Sequence, residues 1–346
     1  MKQGIISVKG ISGKHVLLLP FMYLGHLITW RSIQVLTHAS LEGAYGGSPG
    51  GGSRSNGRSQ NDKNNKLREA IICAIIDNKV PVSYYKTDIW RDMKQSVDGF
   101  LHYVMMSNGG GEYTHVECCH AAGRGNNYDF LITFTGIDGV KKKHKVEFKF
   151  NASKISDTPQ FVSPMKPSQY LSSSYEEFFY DNYMGKIVGS DLLLPCREEW
   201  LKQIHNNAPP CVKHLQDKYY AGCSSSSQFT NAPDDIAFYN LCKQLSKESI
   251  AKFIAENDLD IAKLSGYLRE SQEGKVYMLF QPAAAAGDSA SIRLQTVDTA
   301  HYNIVSCVKN PKNSRYECVS ETGKKINILL RWKNGNGIAF PAFQIS

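Results

Sequence analysis

The chain has 346 residues, 42% of them hydrophobic, enough for one large core or two modest ones. Its formal net charge of +8 favours an anionic partner, nucleic acid first. Nine cysteines, an odd number without regular spacing, argue against a disulfide-stapled secreted domain and for an intracellular, reducing compartment, cytoplasm or nucleus.

Residues 1–42 form an N-terminal segment of uncertain structure. Within it, residues 15–30 (HVLLLPFMYLGHLITW) are apolar, but they are shorter than a spanning helix needs and carry Pro20, Gly25 and two histidines. No small-residue cleavage site follows, so neither a membrane anchor nor a secretory signal is expected. Residues 43–63 are a Gly/Ser run with scattered arginines and read as a flexible linker. Residues 65–77 (NKLREAIICAIID) and 88–107 place apolar side chains at helical spacing, the first capped by Asn64 or Asn65. The period then changes. Residues 114–118, 128–135 and 143–150 are rich in β-branched and aromatic residues, and Gly136-Ile-Asp-Gly139 marks a turn that makes the last two an antiparallel hairpin. Residues 168–182 and 198–206 are expected to be helical, as are two helices within 234–267 that meet near Asp258. From residue 275 onward six strand-like segments follow. An α/β part over 64–270 thus precedes a β-rich portion over 271–346.

The stretch from 112 to 160 carries the chemistry. Asp129 opens a strand, and Glu147-Phe148-Lys149 lies in the next one. Because side chains alternate along a strand, Glu147 and Lys149 share one face while Val146, Phe148 and Phe150 take the other. The hairpin brings Asp129 toward them. Two carboxylates with an amine suit Mg2+, which keeps several waters and is held by one or two carboxylates plus phosphate oxygens; Mn2+ is able to substitute. A lysine beside such a centre can orient the attacking water and offset developing charge.

At these residues the sequence resembles the PD-(D/E)XK nuclease superfamily: Asp129 stands in the aspartate position, Glu147-Phe148-Lys149 as the E-X-K, and a helix lies upstream. Tyr128 replaces the eponymous proline. The resemblance covers about residues 64 to 185 and implies a restriction-endonuclease-like mixed sheet flanked by helices, within an α/β fold. It implies a metal-dependent nuclease, an endonuclease by preference, hydrolysing phosphodiester bonds in double-stranded DNA. Asp129 and Glu147 would then hold the metal and Lys149 would position water. Glu69 on the upstream helix matches a third acidic ligand, in competition with Glu112 and Glu117, and Gln160 matches the glutamine that sometimes follows the E-X-K, in competition with Gln169. By the same analogy the C-terminal portion shapes target recognition, and a homodimer suits a two-fold target.

Lys141, Lys142, Lys143 and Lys145, with Arg124 nearby, are expected to grip the phosphate backbone from the hairpin tip. Tyr170, Tyr175, Phe178, Phe179, Tyr180 and Tyr183 read as core aromatics rather than a base-stacking platform. Zinc fits poorly: His115, Cys118, Cys119 and His120 contain adjacent cysteines, and Cys196, Cys211, His214 and Cys223 are loosely spread. Nothing in the spacing selects Cys118 or Cys119 as a nucleophile. The alternative from another class is a non-catalytic nucleic-acid-binding module built on a degenerate nuclease fold.

Overall fold

The computed structural model describes residues 38–45, 58–107, 109–121, 126–157, 160–161, 166–188, 194–205, 232–282, 291–333 and 340–346. In chain order the helices are α1 (His38–Tyr45), α2 (Arg58–Ile76), α3 (Asp88–Ser107), α4 (Tyr175–Phe179), α5 (Gly185–Val188), α6 (Arg197–Gln203), α7 (Pro233–Glu256) and α8 (Ile261–Gln272). The strands are β1 (Tyr113–His120), β2 (Phe130–Gly136), β3 (Lys141–Phe150), β4 (Gln160–Phe161), β5 (Lys275–Gln281), β6 (Ser291–Thr296), β7 (Ile304–Asn310), β8 (Arg315–Ser320), β9 (Lys325–Lys333) and β10 (Phe340–Ile345).

The chain divides into two compact units. The first comprises residues 1–122, 128–157 and 274–296; the second comprises 123–127, 158–273 and 297–346. This differs from the division at residue 270/271 expected from the change of periodicity. That boundary follows local pattern, whereas strand pairing here is long-range: β5 and β6 join the first sheet, and the helices before them belong to the second unit. The linker expected over 43–63 is helical at both of its ends. Helix α1 takes its first residues and α2 its last, and 46–57 lie outside the described residues. Because α2 starts at Arg58, Asn64 and Asn65 lie inside it and do not cap it.

The first unit is a five-stranded mixed sheet in the order β1-β2-β3-β5-β6. Only the β3–β5 pair is parallel, with Glu147 opposite Tyr277 and Lys149 opposite Leu279. A parallel partner cannot be reached by a tight turn, and the long excursion between β3 and β5 supplies the crossover. β5 is almost wholly buried, as a central strand of this kind should be. The β2–β3 hairpin closes through Gly139, whose φ of +77° is open to glycine at little cost.

Helices α1, α2 and α3 supply one core with one face of this sheet. Ile71, Ile72 and Ile75 of α2 and Trp90, Met93, Val97, Phe100 and Val104 of α3 pack with Phe130, Ile132, Val146, Phe148, Val276, Met278 and Phe280. The sheet residues named are the alternate ones, so Leu131, Lys145, Glu147, Lys149, Lys275, Tyr277 and Leu279 belong to the opposite face. A stripe along α2 at four-residue spacing meets the edge strand β1. Glu69 reaches His120, Cys73 reaches Cys118, and the Cys118 N–H donates to Asp77 Oδ1 at 2.6 Å.

The second unit has an antiparallel sheet in the order β4-β10-β9-β8-β7 and its own core. Tyr175, Phe179, Trp200, Phe253, Phe343 and Trp332 are buried there, and the Trp332 indole N–H donates to the Tyr175 hydroxyl at 2.9 Å. The aromatic run after residue 170 therefore packs a core, as expected. Among the described residues no helix is long and apolar enough to cross a membrane; residues 15–30 lie outside them.

Candidate active site

Glu147 and Lys149 point to the sheet face opposite the helices, as strand alternation requires. They do not form an exposed surface pair: their side chains are only 17% and 14% exposed. The Lys149 ammonium donates to Glu147 Oε1 at 2.6 Å, and the Lys275 ammonium, only 4% exposed, donates to Oε2 at 3.0 Å. Burial alone would raise the Glu147 pKa, but Lys149 and Lys275 outweigh it and hold the carboxyl below its ordinary value. Lys275 is itself lowered by burial, with Glu147 opposing. The carboxylate is thus ionised and clamped between two cations.

Asp129 sits just ahead of β2 rather than inside it. Its N–H donates to Val146 O at 2.9 Å, and its carbonyl accepts from the Ala121 N–H at 2.8 Å. The paired register of β2 with β3 ends at Phe130 and Val146, and Asp129 Oδ2 takes the Phe148 N–H beyond that end, at 2.8 Å. Three hydrogen bonds therefore fix the residue across the mouth of the hairpin. Its pKa is pushed up to about 7, first by burial, then by the charges of Glu147 and Glu69, against the Phe148 hydrogen bond and Lys149. Among the described residues its other oxygen, Oδ1, accepts no hydrogen bond.

Glu69 lies on α2, 13% exposed, and the His120 Nε2–H donates to its Oε2 at 2.5 Å. That bond, with the charges of Glu69 and Asp129, raises the His120 pKa against the pull of burial. Asp129 is thus electrostatically coupled to both Glu147 and Glu69, and His120, which the sequence offers only in a poorly fitting zinc cluster, is coupled to Glu69 and Asp129. Among the described residues, no group of three or more histidine, cysteine, aspartate or glutamate side chains is gathered closely enough to form a ligand set.

Lys143 and Lys145 lie in the strand expected over 143–150, and Lys141 and Lys142 also fall inside β3 rather than in the turn before it; all four are exposed. Lys141, Lys143 and Lys145 share the face of Glu147 and Lys149, a basic row leading to the carboxylates, while Lys142 faces the other way. Glu112 and Glu117 are exposed, Glu112 ahead of β1 and Glu117 on it. Gln160 lies on β4, paired with Ile345 in the second unit, and Gln169 in a short helical turn of that unit. Arg124 lies outside the described residues.

Sequence reasoning missed Lys275. The signal was present: a lysine heading the apolar run Val276-Tyr-Met-Leu-Phe280 is about to enter a buried strand, where lysine is rarely found unless paired. Its partner is visible only once β5 is known to lie beside β3.

No family model matches the chain, and no curated protein matches it in sequence. Among solved structures, the crystal structure of restriction endonuclease MspI in complex with its cognate DNA aligns over 84% of this chain and 91% of its own, at 12% identity and a TM-score of 0.33. So shallow a likeness carries no argument about this chain, whose reading rests on the geometry above.

Proposed function

We propose that the first unit carries the centre of a metal-dependent nuclease that hydrolyses phosphodiester bonds in double-stranded DNA, endonucleolytically. The observation that carries this reading is the coupling of Asp129, pushed up to about 7 by burial and then by neighbouring carboxylates, to Glu147 clamped between Lys149 and Lys275. A buried carboxyl raised by desolvation and by neighbouring carboxylates is relieved by a cation.

The residues fit Mg2+ or Mn2+. Asp129 offers Oδ1, and Glu147 becomes a second oxygen ligand when one ammonium gives way; two carboxylates suffice when waters and phosphate complete the shell. Glu69 joins as a third ligand once it leaves His120. Bound there, the ion supplies an electrophile for the phosphoryl oxygen and a water of lowered pKa. Lys149, displaced from Glu147, would orient an attacking water and offset charge on the phosphate. Lys141, Lys143 and Lys145 hold the backbone along β3. The centre is drawn without Gln160. A homodimer would suit a two-fold target.

The test is cleavage of supercoiled, linear and single-stranded DNA with Mg2+, with Mn2+ and with chelator, by wild type, Asp129→Ala and Glu147→Ala. Metal-dependent cutting by the wild type alone is the expected result; cutting that survives either substitution, or none by any protein, defeats the reading. One observation favours the alternative of a non-catalytic nucleic-acid-binding module: both Glu147 oxygens are already engaged by ammoniums. Such a module would bind DNA equally well in chelator and cut nothing.

A further inference from the structure

Two cysteines behind the proposed centre meet in a way that the nuclease reading does not use. Cys73 Sγ on α2 and Cys118 Sγ on β1 are 3.0 Å apart, and the two residues are 45 positions apart in the chain. Both are free thiols and both are partly exposed. They stand one helical turn after Glu69 and two strand positions before His120, on the same stripe and the same strand face as that hydrogen-bonded pair.

We infer that Cys73 and Cys118 are a reversible dithiol, oxidised by a peroxide to a disulfide that fixes the Glu69 turn of α2 against β1. The sulfurs are closer than two non-bonded sulfurs ordinarily sit, and closing to a bond of about 2.05 Å asks for a movement of roughly 1 Å. The chemistry balances in two steps. One thiol, as thiolate, attacks peroxide, giving a sulfenic acid and water; the other then displaces hydroxide from that sulfur, which leaves as a second water, and the disulfide is formed. Hydrogen bonding to Cys73 and burial hold the Cys118 thiol well above its ordinary pKa. A dithiol reductant reverses the change by exchange. A transient bond of this kind is compatible with the reducing compartment expected from the cysteine usage.

The effect on cleavage rests on the nuclease reading. Glu69 is bonded to His120 and must leave it to reach a metal beside Asp129. A disulfide one turn away pins that part of the helix where the Glu69–His120 bond is made. The oxidised protein should therefore bind Mg2+ and cut DNA about tenfold more weakly, the scale on which metal sites respond to a disturbed outer shell.

A second close pair, Cys307 and Cys318 at 3.1 Å across β7 and β8, requires a clean background, so the experiment uses the full chain carrying C307S and C318S. It is treated with hydrogen peroxide, alkylated, digested without reductant and mapped by mass spectrometry. In parallel its cleavage is measured oxidised, re-reduced, and with C73S added. A Cys73–Cys118 linked peptide, lost on reduction, with slowed cleavage that C73S abolishes, is the expected result. Both cysteines alkylated after peroxide, or linked to other partners, would overturn the dithiol. Slowing that persists with C73S would overturn its effect on the site. A linked peptide in a protein that cuts nothing in either state would sink the nuclease reading, and the regulatory half with it, while leaving the dithiol established.

Discussion

Asp129 and Glu147 answer to pH in opposite senses. Asp129 has a folded-state pKa near 7, above its unfolded value, so the folded state binds this proton more tightly. Its favourable contribution is full below the unfolded pKa near 4 and is lost as pH rises through 7, an upper bound of roughly 4 kcal/mol. In chelator, Asp129→Asn should therefore raise the melting temperature at pH 8 and change it little at pH 4; equal effects at both would mean that Asp129 is an ordinary solvated carboxylate. In the proposed centre Mg2+ would compete with the same proton, so its affinity, read by calorimetry, should climb up to about pH 7 and then level off. Glu147 behaves the other way: held low by its lysines, it stabilises the fold above its unfolded pKa, a contribution lost as pH falls through its depressed value. Lys275→Met leaves that carboxylate with one partner and should cost about 2 to 4 kcal/mol at pH 7 by urea unfolding. Adding Glu147→Gln should recover part of that loss, a coupling of about 1 kcal/mol or more; simple additivity of the two changes would show that the Lys275–Glu147 ion pair carries no energy.

The edge strand β1 depends on α2 for more than apolar packing. Cys118 donates its backbone N–H to the Asp77 carboxylate, which also takes the Lys79 ammonium at 2.6 Å. A charged acceptor for an otherwise unpaired edge amide is worth about 1.5 to 3 kcal/mol. Asp77→Ala should therefore destabilise the chain by about 2 kcal/mol and speed hydrogen exchange at Cys118; unchanged exchange there would place the strand's support elsewhere. At this scale the sequence was informative wherever periodicity is local. Residues 88–107 are a helix as expected, and residues 315–320 are a strand over the expected span. The face shared by Glu147 and Lys149 follows from alternation alone. What the pattern hid was pairing across long stretches of chain. Nothing near residue 147 announces Lys275, and nothing near Glu69 announces His120, because those pairs exist only after strands and helices far apart in sequence have met.

For the whole molecule, the basic row on β3 makes the proposed affinity for nucleic acid an electrostatic quantity. Replacing Lys141, Lys143 and Lys145 together by alanine should weaken duplex DNA binding and flatten the log–log salt dependence by about three units, one for each phosphate no longer neutralised. Fluorescence anisotropy over a potassium chloride series measures this. A slope that does not change would move the binding surface off β3.

The order in which the first unit is completed follows from its interrupted path. The chain leaves that unit after residue 157, builds most of the second, and returns only with β5 at Lys275. During synthesis Asp129, Glu147 and Lys149 are therefore made early, yet β3 has an open edge and Glu147 lacks one of its two cations until more than a hundred further residues have been added. Pairings of such separation are slow to form. A chain halted at residue 270 would hold Asp129, Glu147 and Lys149 of the proposed centre and still lack both the central strand and the clamp, an unpaired edge exposed to any neighbour. The nascent protein is thus most prone to aggregate over that interval.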